Sequence, residues 1–185
     1  GLHQIENAGM AIALLDTFCQ EDGRELASTD LLAQALEETR WPGRLEVVSR
    51  DPLMILDGAH NPHAIKALVA TLQERFADYH KEILFTCIKT KALEDMLGLL
   101  GGMPDTEFTL THFDDSRATD ESVLEEAAKS RNLSYQGWQE FLEQKLTDKK
   151  EEKKTVRIVT GSLYFLSQVR AYLMEGKNEN GYTKD

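Results

Sequence analysis

The stretch from Leu53 to Leu68 constrains this chain more than any other. Its first four residues, Leu53-Met54-Ile55-Leu56, are an apolar run too short for a helix and suited to a buried strand. Asp57-Gly58-Ala59-His60 then reads as a polar turn. Asn61-Pro62 starts a helix, because Asn caps well and Pro at the first helical position forfeits no hydrogen bond. Ile65, Leu68, Val69, Leu72 and Phe76 follow at helical spacing and give that helix an apolar face. Strand, polar turn and helix in this order belong to an open parallel sheet, where ligands sit at the carboxyl ends of strands. Asp57, His60 and Asn61 occupy that place.

Downstream the alternation repeats. Strands are expected at 83–88, 107–113 and 156–160, with a short edge strand at 133–135. Helices are expected over 92–100, 120–131 and 138–146, and after Gly161-Ser162, where Leu163, Leu166, Val169, Tyr172 and Leu173 form the apolar face. In the helix capped by Asp120, Val123, Leu124 and Ala127 are expected to face inward. A further strand at 44–49 alternates at Leu45 and Val47, with Val48 out of phase. Arg50-Asp51 joins it to Leu53 so briefly that the two strands must run antiparallel. The expected class is therefore α/β: a Rossmann-like, mostly parallel sheet with one antiparallel strand and helices on both faces. The Lys/Glu run at 148–155 reads as a solvated loop or a frayed helix end, and the polar residues 176–185 as a disordered tail.

Upstream the pattern differs. Ile5, Ala8, Met10, Ala11, Ile12, Leu14, Leu15 and Phe18 surround a first helix on nearly every side, and such a helix is buried in something larger. A second helix follows Ser28-Thr29-Asp30, and Trp41-Pro42-Gly43 punctuates what comes next. The expected division is residues 1–40 as the helical end of a preceding domain, 41–175 as the sheet domain and 176–185 as the tail. The chain opens Gly-Leu-His-Gln without Met, which reads as part of a longer protein. A net charge of −11 argues against nucleic acid or an anionic membrane as partner, and no apolar run is long enough to span a bilayer. Cys19 and Cys87 lie in apolar surroundings and read as buried hydrophobes, which suits a reducing, cytoplasmic setting.

Each candidate for chemistry has a plainer rival. Asp57 can hold a ribose hydroxyl, a metal-bound water or an ammonium group, or bond its own backbone around Gly58. Both Asp57 and His60 stand outside the apolar pattern, so neither is expected to carry much stability. His60 and His63 near Asp57 suggest a metal hydrolase, but no further ligand pair with metal spacing exists, and no metal site is assigned. Ser162 beside free N–H groups suits a carboxylate or phosphate, or simply caps its helix. Arg44 can reach a phosphate across a domain cleft or lie on the surface, and Arg117, Lys89 and Lys91 stand at the carboxyl edge. A basic crevice on an acidic chain suggests a small anionic ligand. No glycine-rich phosphate loop is present.

Four stretches together resemble the folylpolyglutamate synthase/dihydrofolate synthase family, relatives of the Mur ligases: Gly1-Leu-His-Gln-Ile-Glu-Asn-Ala, Trp41-Pro-Gly-Arg-Leu-Glu, Leu56-Asp-Gly-Ala-His-Asn-Pro and Val159-Thr-Gly-Ser-Leu-Tyr. The resemblance implies that the first forty residues close a central ATPase domain and the rest is the C-terminal Rossmann-like domain. It implies ATP and magnesium as cofactors, and activation of a folate or dihydropteroate carboxylate as an acyl phosphate that L-glutamate then attacks. It places Asn7, Arg44 and Asp57 at the nucleotide, with Arg44 on its phosphates, and His60 and Ser162 at the incoming glutamate, so that Asp57 and His60 carry the chemistry. The phosphate loop, magnesium ligands and folate cleft are implied to lie in a missing N-terminal ATPase part, and the chain alone is expected to be inactive. Lys89-Thr90-Lys91-Ala92 departs from the family's usual Asp-Lys-Asp after the second parallel strand. From other classes, the rivals are a stand-alone Rossmann-like module binding a small anionic ligand, and the metal hydrolase built on Asp57, His60 and His63.

Overall fold

A computed structural model describes residues 2–39, 41–90, 92–147 and 153–179, and divides the chain into two units, 1–42 and 43–185. The first unit holds α1 (Leu2–Glu21) and α2 (Thr29–Glu38). Ser28 caps α2 by accepting the Leu31 N–H at 3.4 Å, with Asp30 in the first turn favouring the helix dipole. Ile5, Met10, Leu14 and Phe18 of α1 are all exposed, and Cys19 is partly exposed rather than buried.

In the second unit the elements are β1 (Glu46–Arg50), β2 (Leu53–Asp57), α3 (Pro62–Arg75), β3 (His80–Phe85), α4 (Leu93–Gly101), β4 (Thr106–Leu110), α5 (Glu121–Arg131), β5 (Ser134–Tyr135), α6 (Trp138–Thr147), β6 (Thr155–Thr160) and α7 (Leu163–Glu179). The strands form one sheet in the order β1-β2-β6-β3-β4-β5, with β1 antiparallel to β2 and the remaining neighbours parallel. Alternation along each strand sends side chains to two separate cores. Ile55, Ile83, Phe85, Val156 and Ile158 pack with Ile65, Leu68 and Leu72 of α3, Met96 and Leu100 of α4, and Leu124 of α5. Met54, Leu56, Leu84 and Val159 pack with Trp138, Phe141 and Leu142 of α6 and Phe165, Leu166 and Val169 of α7. Covered on both faces, the central strands read as continuous apolar runs, as parallel strands do.

Several expectations are corrected by packing. The third strand is His80–Phe85 instead of 83–88, because its polar start is satisfied inside the sheet domain. Buried Lys81 donates to the Tyr79 carbonyl at 2.8 Å, and Glu82 is flanked by Arg157 and Lys145. Val48 is out of phase because the β1–β2 register shifts between Val47 and Ser49, a bulge that turns Val48 toward the second core and leaves Val47 exposed. Val123 and Leu163 are exposed, and Ala128 and Phe165 take the inward positions. Helix α7 runs on to Glu179, past the start of the expected tail, as its Glu and Lys residues favour helix. Residues 148–152 and 180–185 of the expected loop and tail lie outside the described residues. No helix among the described residues is long and apolar enough to cross a membrane.

Candidate functional site

Three parallel strands end at one level. Asp57 of β2 pairs with Thr160 of β6, which pairs in turn with Phe85 of β3. The chain leaves β2, crosses β6 and returns at β3, so the turns after these strands converge where the connections diverge. In open α/β sheets such a point is the ligand crevice.

Asp57 organises the first turn. It is 8% exposed; Oδ1 accepts the Ala59 N–H and Oδ2 the Leu45 N–H, both at 3.0 Å. The sequence expectation that this carboxylate carries little stability is therefore corrected: it is a built-in acceptor for two backbone amides, beside whatever it offers a ligand. Leu45 has φ +46, a left-handed conformation that costs a side-chain-bearing residue about 1–3 kcal/mol, and its bond to Asp57 helps hold it there. In return the Gly58 N–H donates to the Gly43 carbonyl at 2.7 Å. A Cβ on Gly58 would lie 2.3 Å from Leu163 Cδ2 and 3.2 Å from the Gly43 carbonyl oxygen, so the turn nests closely under the first turn of α7 and any side chain there would displace Leu163. Arg44, between Gly43 and Leu45, is exposed, and its guanidinium has no hydrogen-bond or ion-pair partner among the described residues.

His60 is exposed, with Nδ1 2.7 Å from the Gly58 carbonyl. A carbonyl only accepts, so Nδ1 carries the proton and Nε2 is the nitrogen left for a ligand. Asn61 caps α3 through Oδ1 and the Ala64 N–H at 2.9 Å, and Pro62 opens the helix as expected. His63 is exposed one position further on.

Ser162 stands immediately before α7, 2% exposed, its carbonyl accepting the Leu166 N–H at 2.9 Å. Gly161 before it has φ +117, and a Cβ there would fall 1.7 Å from the Thr86 carbonyl oxygen. That contact seats the start of α7 directly against the end of β3. Thr160 Oγ1 donates to the Ala59 carbonyl at 3.3 Å and ties this turn to the Asp57 turn. The fold thus brings together Arg44, Asp57, His60 and Ser162. Asn7 is exposed on α1 of the other unit.

Two of the other cations expected at this edge, Arg117 and Lys89, have local partners. Arg117 donates to both oxygens of Asp115, at 2.8 and 2.6 Å, and lies 3.4 Å over the Tyr164 ring. These hydrogen bonds pull the Asp115 carboxyl down to about 2. Lys89 pairs with Asp120 at 3.0 Å, and Lys91 lies outside the described residues. Of the described cations expected at this edge, Arg44 is the one without a local partner. Cys87 is buried against Thr119 Oγ1 at 3.3 Å, and burial pushes its thiol up.

Asp57, His60 and His63 form no metal-type group among the described residues; the donor set of that kind is His80, Glu82 and Glu107, at the opposite ends of the strands. There the Lys145 ammonium lies against Glu82 and 3.8 Å from Glu107, taking the place of a cation. Glu46 closes the stretch Trp41-Pro-Gly-Arg-Leu-Glu, two residues beyond Arg44, but the sequence assigned it no role of its own. Its spacing from Gly43 was the available signal, and only the tertiary contacts give it meaning.

An open parallel sheet that gathers an unpartnered arginine, a histidine and a capped helix N-terminus at its carboxyl edge belongs to a known class. The chain is a member of the Mur ligase family, whose glutamate ligase domain matches residues 43–163. Among particular proteins, it is 30% identical over 175 residues to the dihydrofolate synthase/folylpolyglutamate synthase of Bacillus subtilis, covering 94% of this chain and 40% of that protein. The crystal structure of folylpolyglutamate synthase from Thermotoga maritima is similar with a TM-score of 0.72 and 30% identity, over 96% of this chain and 40% of the other. The bifunctional synthase of Yersinia pestis, complexed with AMPPNP and a Mn ion, gives 0.66 and 29% over 80% and 35%. The chain thus spans about 40% of the length of the curated relative from Bacillus subtilis.

Proposed function

We propose that this chain is the C-terminal part of an ATP-dependent ligase that joins L-glutamate to the carboxylate of a folate or dihydropteroate. In this reading residues 1–40 close a central ATPase domain, residues from 41 onward form the ligase domain, and the protein works in the cytoplasm. The observation that carries the reading is the convergence of Arg44, His60 and Ser162 at one sheet edge, in a chain of the glutamate ligase family.

The substrate carboxylate attacks the terminal phosphorus of ATP, ADP leaves, and the resulting acyl phosphate is attacked by the amine of glutamate. The amide forms as phosphate departs. Arg44 suits the first half: its guanidinium is free to fork onto phosphate oxygens and offset charge at the transferring group. Asp57 serves at the nucleotide chiefly by holding the Arg44 turn in place. Ser162 and the first N–H groups of α7 suit a glutamate carboxylate, and His60 Nε2 is available to the same molecule as its amine approaches the acyl carbon. No group of metal-type donors forms at the Asp57 turn among the described residues, and the magnesium ligands are assigned in this reading to the N-terminal part of the ligase. AMPPNP and Mn in the Yersinia relative support use of ATP with a divalent ion.

The test is steady-state kinetics in the longer ligase. Ser162→Ala removes a hydrogen bond to a charged group, ~1.5–3 kcal/mol, and should raise the glutamate KM roughly tenfold to hundredfold. His60→Ala should lower the rate in a protein that remains folded by circular dichroism, while His63→Ala should change little. If Ser162→Ala and His60→Ala both leave glutamate kinetics unchanged, the assignment of this edge fails.

A further inference from the structure

We propose that Glu46 is a positioning residue that, anchored by Arg170, holds the Arg44 turn in the geometry that presents its guanidinium to an anionic group. The inference rests on the reading above, in which that group is the nucleotide's phosphates.

The Glu46 carboxylate is divided between two elements. Oε2 accepts the Gly43 N–H at 2.8 Å, and Oε1 accepts the Arg170 Nε–H at 3.0 Å. Arg170 lies on α7 and rests its other nitrogen 3.7 Å from Met174 Sδ, one helical turn on. The pair is only partly exposed, at 21% for Glu46 and 38% for Arg170. A surface ion pair by itself contributes little to stability. This one differs because one oxygen is spent on a backbone amide next to Arg44.

Around Arg44, three backbone groups are tethered by β1, β2 and the turn that follows β2. The Gly43 N–H goes to Glu46 of β1, the Gly43 carbonyl takes the Gly58 N–H, and the Leu45 N–H goes to Asp57 of β2. Gly43 takes φ +71, as glycine freely does, but Leu45 takes φ +46, which a residue with a side chain adopts only at a cost, so the tethers and not local preference hold this shape. The side chain at its apex has no partner among the described residues. A fixed stem bearing a free cation is preorganised for a ligand that arrives from outside, since little freedom remains to be lost on binding. Because Arg170 is on α7, whose N-terminus carries Ser162, the same ion pair ties the Arg44 turn to the helix that begins at the glutamate site.

A double-mutant cycle on kcat/KM for ATP in the longer ligase tests this, with wild type, Arg44→Ala, Glu46→Ala and the double variant. Glu46→Ala should lower kcat/KM about tenfold, and most of that loss should vanish in the Arg44→Ala background, since Glu46 acts through Arg44. Glu46→Gln should recover part of the rate, its amide oxygen still accepting the Gly43 N–H while the link to Arg170 is lost. Hydrogen exchange on this chain should show the Gly43 amide opening in Glu46→Ala with the β2 and β6 amides still protected. If Arg44→Ala is damaging and Glu46→Ala is silent or fully additive with it, the positioning role is overturned and the Arg44 reading stands. If Arg44→Ala leaves ATP kinetics unchanged, the nucleotide reading falls and this proposal with it. If Glu46→Ala and Glu46→Gln both strip protection from the whole sheet, Glu46 is a fold residue and the proposal is wrong.

Discussion

Replacing Asp57 by Ala tests whether a buried carboxylate builds the site before it serves it. The substitution strands two amides, Leu45 N–H and Ala59 N–H, each 3.0 Å from a carboxylate oxygen, with Ala59 itself 1% exposed. Hydrogen bonds to a charged group contribute ~1.5–3 kcal/mol each, so the loss is ~3–6 kcal/mol. That is a large part of the roughly 5–15 kcal/mol that holds a typical domain together. In a chain of this size it lowers the melting temperature by roughly 10–20 °C. Asp57→Asn keeps one acceptor and turns an NH2 toward the other donor, so it should lose about half as much. Thermal melts followed by circular dichroism measure both, and amide exchange at Leu45 and Ala59 locates the damage. A melting temperature for Asp57→Ala within about 2 °C of wild type would refute the reasoning, since one such bond alone is worth more. Activity lost by Asp57→Ala in the longer ligase must then be read against this destabilisation.

Two further outcomes follow from the ends of the sheet. Arg157 is 1% exposed and sits 2.9 Å from Glu82, so Arg157→Met removes one of the two cations beside that buried carboxylate and, with Lys145 remaining, should cost less in urea unfolding than the ~3–5 kcal/mol of a fully unpaired buried charge. Pairing it with Glu82→Gln should recover part of that loss; no recovery would mean that packing, not charge, decides the site. At the other edge Arg117 holds the Asp115 carboxyl at about 2, against about 3.9 for an unfolded Asp. A depressed carboxyl stabilises the fold above its unfolded pKa and loses that effect as pH falls through the folded one. The melting-temperature gap between wild type and Asp115→Asn should therefore be complete near pH 6 and close between about pH 4 and pH 2. A gap that persists at pH 2 would contradict the pairing.

Much of this molecule was legible in the residues alone. The run Leu53–Leu56, the Asn61-Pro62 helix start and the recurrence of strand and helix dictate a parallel α/β sheet, because burial on both faces requires those apolar runs and caps obey local rules. The turn after β2 and the Ser162 turn were visible as polar residues at strand ends, and the motifs around them pointed to the family that residues 43–163 match. Tertiary structure decided the rest. No local pattern places β6 between β2 and β3, yet that order is what sets Thr160 beside Asp57 and brings Ser162 to His60's edge of the sheet. His80, Lys81 and Glu82 hid the start of β3, since charged residues enter a strand only when distant partners such as Arg157 and Lys145 neutralise them. Asp57 was read as adding little to stability because its acceptor role depends on Leu45, twelve residues away, at a left-handed backbone angle that no local pattern announces. Local sequence encodes which element forms; which side chain becomes structural depends on partners that only the assembled sheet brings within hydrogen-bonding distance.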